Sequence, residues 1–287
     1  MKWYPAPAKL NLFLHILGRR EDGYHQLQTV YRLIDRFDRV GIALRTDGRL
    51  RRVTEIAGIP EKDDLCLRAA SSLKECALKR LGASAGSFGA DIALQKVLPI
   101  GGGLGGGSSD AATTLIVLNR LWRLNLSPED LARLALSLGA DVPYFLFGRP
   151  GVGEGIGEHL RELTLGPAWY LVLTPQVSVS TKEIFSDPAL TRDTKPLTIP
   201  PFFPASARND LEAVVIRRYG EVARHLAWLR EHVPGARMTG AGACVFAEFS
   251  EMRQAENLAA RLPAGMRGFV ARGLDRHPLD ASEVRQD

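Results

Sequence analysis

Cysteine is scarce in this sequence of 287 residues, and no apolar run is long enough to cross a bilayer. The three cysteines are Cys66, Cys76 and Cys244. Their odd number and wide spacing argue against a disulfide framework, and no Cys/His spacing matches a zinc site. Lys9, Asn11 and His15 interrupt the apolar positions near the N-terminus, so a signal-peptide core is also missing. These absences predict a cytoplasmic protein with reduced, buried cysteines and no membrane partner.

The charge balance is basic, with 37 Lys and Arg against 32 Asp and Glu. Such a balance permits nucleic acid or anionic small molecules as partners. The basic residues are spread along the chain, and the only local cluster is Arg49-Leu50-Arg51-Arg52. This cluster is more typical of a solvated strand edge than of a phosphate-binding patch. A nucleic-acid-binding protein stays a distant alternative, because the basic charge and the antiparallel hairpins with a following helix allow it. Its binding would depend on Arg49, Arg51 and Arg52.

The chain is long enough for two domains, and mixed strand and helix patterns predict an α+β fold. We place the boundary near residue 160, giving domains 1–160 and 161–287, with a flexible polar tail over 275–287. Leu10, Leu12, Leu14 and Ile16 alternate as a strand with one core face, and Lys9 starts that strand. Asp47-Gly48 predicts a β-hairpin between 40–45 and 49–56.

Several helices carry local start signals. Asp63-Asp64 precedes helical spacing that runs to Gly82, and Ser127-Pro128 opens a second helix that ends at Gly139. The glycines of 151–157 indicate a close-packed strand or turn. After residue 169 the pattern predicts strands at 170–173, near Met238, at 244–248 and at 268–272, with helices near Lys182 and over 211–232 and 251–262.

The densest motif is the stretch Pro99-Ile100-Gly101-Gly102-Gly103-Leu104-Gly105-Gly106-Gly107-Ser108-Ser109-Asp110. So much glycine indicates a backbone that approaches a ligand closely or adopts positive φ repeatedly. A strand precedes the stretch and a helix follows it, and a helix start attracts anions. We therefore expect its N–H groups to wrap a polyphosphate, with a serine hydroxyl on phosphate or magnesium.

Three better-known glycine loops do not fit. The stretch formally contains G-x-G-x-x-G, but the hairpins before it are not βαβ units, and no acidic strand end follows about twenty residues later. No Lys-Ser or Lys-Thr follows for a Walker loop. The lysine strand and His-Arg-Asp segment of protein kinases are also missing.

Single residues outside this stretch are ambiguous when taken alone. Lys9 has the pattern of a surface lysine or of a side chain entering a cleft. The pair Tyr24-His25 is more often structural. Asp141 follows a helix and precedes an apolar run, where it can be an N-cap or a general base.

Taken together, the motifs resemble those of the GHMP kinases, the superfamily of galactokinase, homoserine kinase and mevalonate kinase. The stretch Pro99–Ala112 resembles the phosphate loop, and two further segments, 5–12 and 238–246, stand where that superfamily has its other motifs. Residues 8–12, 22–25 and 209–212 resemble the branch that phosphorylates a cytidine diphosphate alcohol of the non-mevalonate isoprenoid pathway. Another small-molecule GHMP kinase, acting on homoserine, mevalonate or phosphomevalonate, is the nearest alternative.

The resemblance implies an N-terminal domain like domain 2 of ribosomal protein S5, a ferredoxin-like C-terminal α/β sandwich, and an active site between them. It implies ATP and Mg²⁺ as cofactors, with the magnesium ligands left unassigned. The expected partners are ATP and a small-molecule substrate, with no nucleic acid and a monomeric or weakly dimeric state.

The resemblance also implies residue roles. Asp141 would accept the hydroxyl proton, while Lys9 would keep that carboxylate ionised and stabilise the transferring phosphoryl group. The implied ATP-binding residues are Pro99, Gly101, Gly102, Gly103, Leu104, Gly105, Gly106, Gly107, Ser108 and Ser109. The implied substrate-binding residues are Asn11, Tyr24, His25, Phe185, Thr239, Gly240 and Gly242. The chain departs from the family at Asp64, where asparagine is usual.

Overall fold

The computed structural model describes residues 1–56, 58–199 and 207–280, in which ten strands and eight α-helices are found. The strands are β1 (Lys2–Arg19), β2 (His25–Arg45), β3 (Leu50–Arg52), β4 (Gly89–Gln95), β5 (Gly151–Gly155), β6 (His159–Glu162), β7 (Trp169–Leu173), β8 (Arg237–Met238), β9 (Val245–Phe249) and β10 (Gly268–Leu274). The helices are α1 (Leu65–Leu81), α2 (Gly106–Leu121), α3 (Pro128–Leu138), α4 (Val142–Phe147), α5 (Thr181–Ser186), α6 (Glu212–Arg218), α7 (Gly220–His232) and α8 (Met252–Ala259). The mixed α+β architecture is confirmed.

A long antiparallel ribbon of β1 and β2 runs through the molecule. The apolar side chains of β1 do not share one face: a register shift between Asn11 and Phe13 divides them between two cores, Leu10 and Leu12 in one and Leu14 and Ile16 in the other. Lys9, Asn11 and His15 are buried as well. Lys9 lies in the middle of β1, because the strand begins at Lys2 and not at Lys9. The expectation of a strand with a single core face is therefore wrong, and β1 carries its polar side chains into the interior.

The hairpin predicted at Asp47-Gly48 is wrong, although the turn itself forms. β4 inserts between β2 and β3, pairing antiparallel with β2 and parallel with β3. Gly89 permits this insertion, since a Cβ there would lie 2.6 Å from the Arg49 carbonyl oxygen. β3 is an edge strand, as the arginine cluster predicts.

Helices α1 to α4 cover the N-terminal part of the sheet and share its apolar core. Asp64 caps α1 by accepting from the N–H groups of Cys66 and Leu67, and Ser127 caps α3 by accepting from Asp130 N–H. Both predicted helix starts are confirmed. The helix predicted over 211–232 is divided into α6 and α7, because Tyr219 leaves the helical conformation.

The C-terminal part packs α5 to α8 on the strands β7 to β10 around a second core. One sheet connects both parts, since Gly273 and Leu274 of β10 pair with Ile34 and Leu33 of β2. β6, the last strand of the N-terminal part, ends at Glu162, and β7, the first strand of the C-terminal part, begins at Trp169. The domain boundary near residue 160 stays a prediction.

Residues 275–280 do not form the expected polar tail. His277 and Leu279 are buried, the Arg120 guanidinium donates to the Leu279 carbonyl, and Arg32 pairs with Asp275. Residues 281–287 of the expected tail lie outside the described residues. Among the helices that the structure describes, none has the length and apolar character needed to span a membrane.

Candidate active site

A cavity of about 930 Å³ collects most of the residues that the sequence motifs single out. Its walls include Lys9, Asn11, Tyr24, His25, Pro99, Gly101, Gly102, Gly103, Leu104, Gly105, Gly106, Gly107, Ser108, Asp141, Phe185 and Gly240. Ser109, Thr239 and Gly242 do not line it, but they lie directly behind its walls. Its volume lies within the range of small-molecule and cofactor sites in proteins.

Lys9 and Asp141 meet at this cavity. The Lys9 ammonium lies 3.4 Å from Asp141 Oδ2 and donates to Asn11 Oδ1 at 2.5 Å. The Lys9 side chain is 3% exposed, whereas that of Asp141 is 35% exposed. The buried Lys9 cation therefore lies beside the Asp141 carboxylate, which stays accessible from the cavity.

The position of Asp141 follows from the short connection between α3 and α4. Asp141 occupies the N-cap position of α4, but its side chain makes no capping hydrogen bond. Its carboxylate instead approaches Lys9 and the Tyr31 hydroxyl, which lies 3.4 Å from Oδ1. Of the two interpretations open from sequence, the structure therefore does not support a capping side chain.

The glycine loop adopts the left-handed backbone that its composition predicts. Gly101, Gly103 and Gly105 have φ near +72°, +79° and +72°. Its backbone also pairs with that of the loop at 239–244: Ala243 N–H donates to Gly101 O, and Cys244 N–H donates to Gly102 O. A Cβ on Gly103 would lie 2.1 Å from Thr239 O, so two main chains touch where the glycines are.

The glycine loop delivers the start of α2 to the cavity. Gly105 is the N-cap, and Ser109 N–H is the donor that closes the first turn on Gly105 O. The N–H groups of Gly106, Gly107 and Ser108 therefore have no intrahelical acceptor, and the helix dipole adds positive potential there. Ser109 is fully buried, and its hydroxyl has no hydrogen-bond partner among the described residues.

Beneath the helix start, three charged groups form a buried cluster. The Lys96 ammonium donates to Asp110 Oδ2 at 2.6 Å and to Asp38 Oδ2, while Asp38 Oδ1 accepts from the N–H groups of Val97 and Leu98. Burial raises the pKa of Asp110 to about 7; Lys96 opposes this effect and the Asp38 charge adds to it. Lys96 and Asp110 also line the cavity, next to the start of α2.

At the other end of the cavity an aromatic site forms from Tyr24, His25 and Phe185. Tyr24 is 58% exposed, and the ring of His25 lies 5.1 Å from that of Phe185. Arg192 Nε donates to His25 Nε2 at 3.0 Å, which assigns the ring proton of neutral His25 to Nδ1. Burial lowers the pKa of His25, and Arg192 and Arg19 lower it further, so the ring is neutral near pH 7.

The remaining predicted residues support the wall from behind. Thr239 Oγ1 accepts from Asn11 N–H, and Asn11 donates through its amide to Thr29 Oγ1. The motif Asn209-Asp210-Leu211-Glu212 holds the loop at 238–242: Asn209 donates to the Met238 and Gly240 carbonyls, and Glu212 accepts from Met238 N–H. This motif therefore shapes the site without entering the cavity.

Asp64, the departure from the family pattern, uses its carboxylate inside the protein. One oxygen caps α1, and the other accepts from Arg52 at 3.1 Å. Asparagine could accept the same capping bonds but would leave Arg52 without its ion pair. The aspartate thus pairs with an arginine of β3, and the site keeps its helix cap.

Sequence reasoning missed three residues at this site, Tyr31, Lys96 and Arg192. Each is a single side chain within an unremarkable segment, so composition and spacing gave no signal for it. The only usable signal was indirect, since the glycines at 153 and 157 lie against Tyr31.

Comparison with known proteins agrees with this geometry. Residues 65–149 match the GHMP kinases N terminal domain and residues 203–268 match the GHMP kinases C terminal domain. The chain is 56% identical over 278 residues to the 4-diphosphocytidyl-2-C-methyl-D-erythritol kinase of Nitrosospira multiformis, covering 96% of this chain and 92% of the relative. It is 53% identical over 275 residues to the enzyme of the same name from Azoarcus sp., covering 96% and 95%.

Solved structures of kinases share the fold of this chain. A crystal structure of 4-(cytidine 5'-diphospho)-2C-methyl-D-erythritol kinase superposes with a TM-score of 0.75 at 32% identity, covering 95% of this chain and 99% of the other. A mevalonate kinase superposes with a TM-score of 0.64 at 15% identity, covering 96% and 100%, which shows a shared fold.

Proposed function

The chain belongs to the 4-diphosphocytidyl-2-C-methyl-D-erythritol kinases within the GHMP kinase family, and we propose on this premise how its site works. The reaction is ATP-dependent phosphorylation of the 2-hydroxyl of 4-diphosphocytidyl-2-C-methyl-D-erythritol, a step of the non-mevalonate isoprenoid pathway. The chain acts in the cytoplasm, as a monomer or weak dimer.

One observation carries the proposed assignment of roles. A lysine and an aspartate lie 3.4 Å apart in a cavity that has free helix N–H groups at one end and an aromatic site at the other. The first end suits the phosphates of ATP and the second suits a nucleobase. Between them the reacting hydroxyl and the γ-phosphate would meet at Lys9 and Asp141.

Phosphoryl transfer needs positioning and charge stabilisation more than covalent chemistry. As the substrate oxygen bonds to the γ-phosphorus, its proton passes to the Asp141 carboxylate and the bond to the bridging oxygen of ADP breaks. Lys9 stabilises the charge on the transferring group. The N–H groups of Gly106, Gly107 and Ser108 hold the phosphates in line.

At the substrate end, the Nδ1–H of His25 donates to an acceptor on the cytosine, while Phe185 and Tyr24 stack on its ring. Cytosine offers a bare ring nitrogen where uracil carries N–H, so a fixed donor favours cytosine. Asn11 contacts the diol of the substrate. Gly240 lies in the wall that orients the substrate against the glycine loop, and Thr239 and Gly242 support that wall from behind.

Mg²⁺ fits this site as a companion of ATP. No group of three or more His, Cys, Asp or Glu side chains able to hold a metal occurs in the described part of the chain. Mg²⁺ keeps several waters and binds through phosphates with few protein ligands. The Ser108 hydroxyl, which lies in the cavity wall at the start of α2, is the group that suits a phosphate oxygen or the ion, and the ion would supply charge neutralisation.

Product analysis with MgATP tests the proposal. Incubation with 4-diphosphocytidyl-2-C-methyl-D-erythritol is expected to give ADP and a product bearing one additional phosphate on the 2-hydroxyl. Homoserine, mevalonate and phosphomevalonate serve as parallel substrates. ADP formation with one of these and none with the cytidine substrate would reject the proposed substrate.

A further inference from the structure

The glycines at 153 and 157 lie against a single side chain, that of Tyr31. A Cβ on Gly153 would lie 2.5 Å from Tyr31 Cε2, and a Cβ on Gly157 would lie 2.5 Å from Tyr31 Oη. Gly157 has φ near +111°, which other residues rarely adopt. These two positions therefore leave room for a phenol ring and its hydroxyl.

Strand pairing brings this phenol to the active site. Tyr31 on β2 lies directly opposite Asn11 on β1, and Lys9 is two residues from Asn11 on the same strand. Directly opposed side chains of an antiparallel pair, and positions two apart on one strand, share a face of the sheet. The pairing of β1 with β2 shifts register directly after Asn11, between Asn11 and Phe13. Lys9, Asn11 and Tyr31 therefore form a local group just before this irregularity in the ribbon.

The Tyr31 ring is buried and packed between neighbouring side chains. It is 2% exposed and stacks on Tyr144 with centroids 4.4 Å apart, while the Lys9 ammonium lies 5.7 Å from its centroid. Burial and the nearby Asp141 charge hold the pKa of Tyr31 well above its ordinary value. The hydroxyl is therefore a neutral donor at every pH at which the protein is used.

Among the residues that the structure describes, the acceptor for this donor is Asp141 Oδ1, at 3.4 Å. The other carboxylate oxygen of Asp141 faces Lys9 at the same distance. We propose that Tyr31 is a positioning residue, which holds the Asp141 carboxylate in the orientation that receives the substrate proton. The inference rests on the proposed role of Asp141 as the base.

Two contacts restrict Asp141 more than one does. An ion pair to Lys9 alone would allow the carboxylate to rotate about its side-chain bonds, because an ammonium is a compact charge without directional preference. A second hydrogen bond to the opposite oxygen fixes the plane of the group. Orientation of the base within hydrogen-bond reach of the hydroxyl is what general-base catalysis requires.

Tyr144 provides a matched control. It is buried and lies in the same stacked pair as Tyr31, and in the described part of the chain its hydroxyl makes no hydrogen bond to Asp141. Tyr31→Phe and Tyr144→Phe each remove one buried hydroxyl and keep the ring. Only the first removes a donor to Asp141.

The test is a double-mutant cycle of Tyr31→Phe and Asp141→Asn, with kcat and both KM values measured with MgATP and the cytidine substrate. We expect Tyr31→Phe to lower kcat about tenfold, as for loss of a hydrogen bond to a charged group, with both KM values within twofold. Tyr144→Phe leaves kcat within twofold. In the Asp141→Asn background, where kcat is already at least about a hundredfold lower, Tyr31→Phe causes no further loss.

The outcomes separate the two assignments. If Asp141→Asn keeps near-normal turnover, the base assignment is rejected, and the role of Tyr31 falls with it. If Asp141→Asn is inactive but Tyr31→Phe matches the parent enzyme, the inference on Tyr31 alone is rejected. Additive losses in the double variant, or an equal loss in Tyr144→Phe, would identify a packing effect and reject it too.

Discussion

Lys9 and Asp141 meet at the cavity from two different elements. Lys9 lies in the middle of β1, and Asp141 lies in the connection before α4. Their charged groups are 3.4 Å apart, and the lysine is almost completely buried. The lysine also donates to Asn11, which in turn is held by Thr239 and Thr29. The cation is thus fixed by contacts from both halves of the chain.

Replacing this cation should abolish most of the activity. Lys9→Met keeps most of the length of the side chain but removes the charge that we propose stabilises the transferring phosphoryl group. We expect kcat to fall at least about a hundredfold, because the charge acts in the transition state. Steady-state ADP release measures it, and Lys79→Met on the exposed face of α1 serves as the control. Near-normal turnover in Lys9→Met would contradict the assignment.

The aromatic site should act on substrate binding alone. Phe185→Leu removes the ring that lies 5.1 Å from His25. Loss of one stacking contact on a base typically corresponds to about 1–3 kcal/mol. We expect KM for the cytidine substrate to rise about tenfold, while KM for ATP stays within twofold. A matching rise in both constants would show that Phe185 supports the whole cavity and not the base.

The buried cluster below α2 should make stability depend on pH. Because the pKa of Asp110 is raised to about 7, folding binds its proton, and this contribution to stability is lost as pH rises through about 7. Asp110→Asn removes the buried charge, and Lys96 retains Asp38 as its partner. We expect the thermal midpoint of Asp110→Asn to exceed that of the parent at pH 8, with the difference shrinking toward pH 5. A lower midpoint at pH 8 would show that the second ion pair of Lys96 outweighs the burial of the charge.

The buried His277 should make the protein less stable as the pH falls. Burial lowers its pKa to about 4, and its Nδ1 accepts from Leu279 N–H. The unfolded chain then binds the proton more tightly, so stability is lost as pH falls from about 6.5 toward 4, by on the order of 3 kcal/mol. His277→Asn keeps an acceptor but does not titrate. Denaturant titrations at pH 7 and pH 4.5 are expected to show a smaller loss for the variant, and equal losses would contradict the burial of His277 in solution.

Local features were predictable from sequence because their causes are local. The caps at Asp64 and Ser127 need only a side chain and the next turn of backbone, and both formed as expected. The turn at Asp47-Gly48 also formed, but its sequence cannot specify which strand pairs with which. β4, more than forty residues later in the chain, takes the place that a hairpin partner would have had.

The site was predictable to a different degree. The glycine stretch by itself indicates an anion site, and only the resemblance to a family linked Lys9 to Asp141. Tyr31 and Arg192 could not be predicted, since each acts through one contact with a residue distant in sequence. The expected tail at 275–280 was wrong for a similar reason, because polar composition does not reveal that His277 and Leu279 meet a buried surface.

The backbone pairing between Gly101-Gly102 and Ala243-Cys244 also bears on how the protein is made. During synthesis, the glycine loop leaves the ribosome long before residues 239–244, which support it. Any nascent chain ending before residue 239 lacks both donors that fix the loop and the threonine that braces Asn11. The glycine loop is therefore expected to reach its described conformation only late in synthesis, once residues 239–244 are available to pair with it.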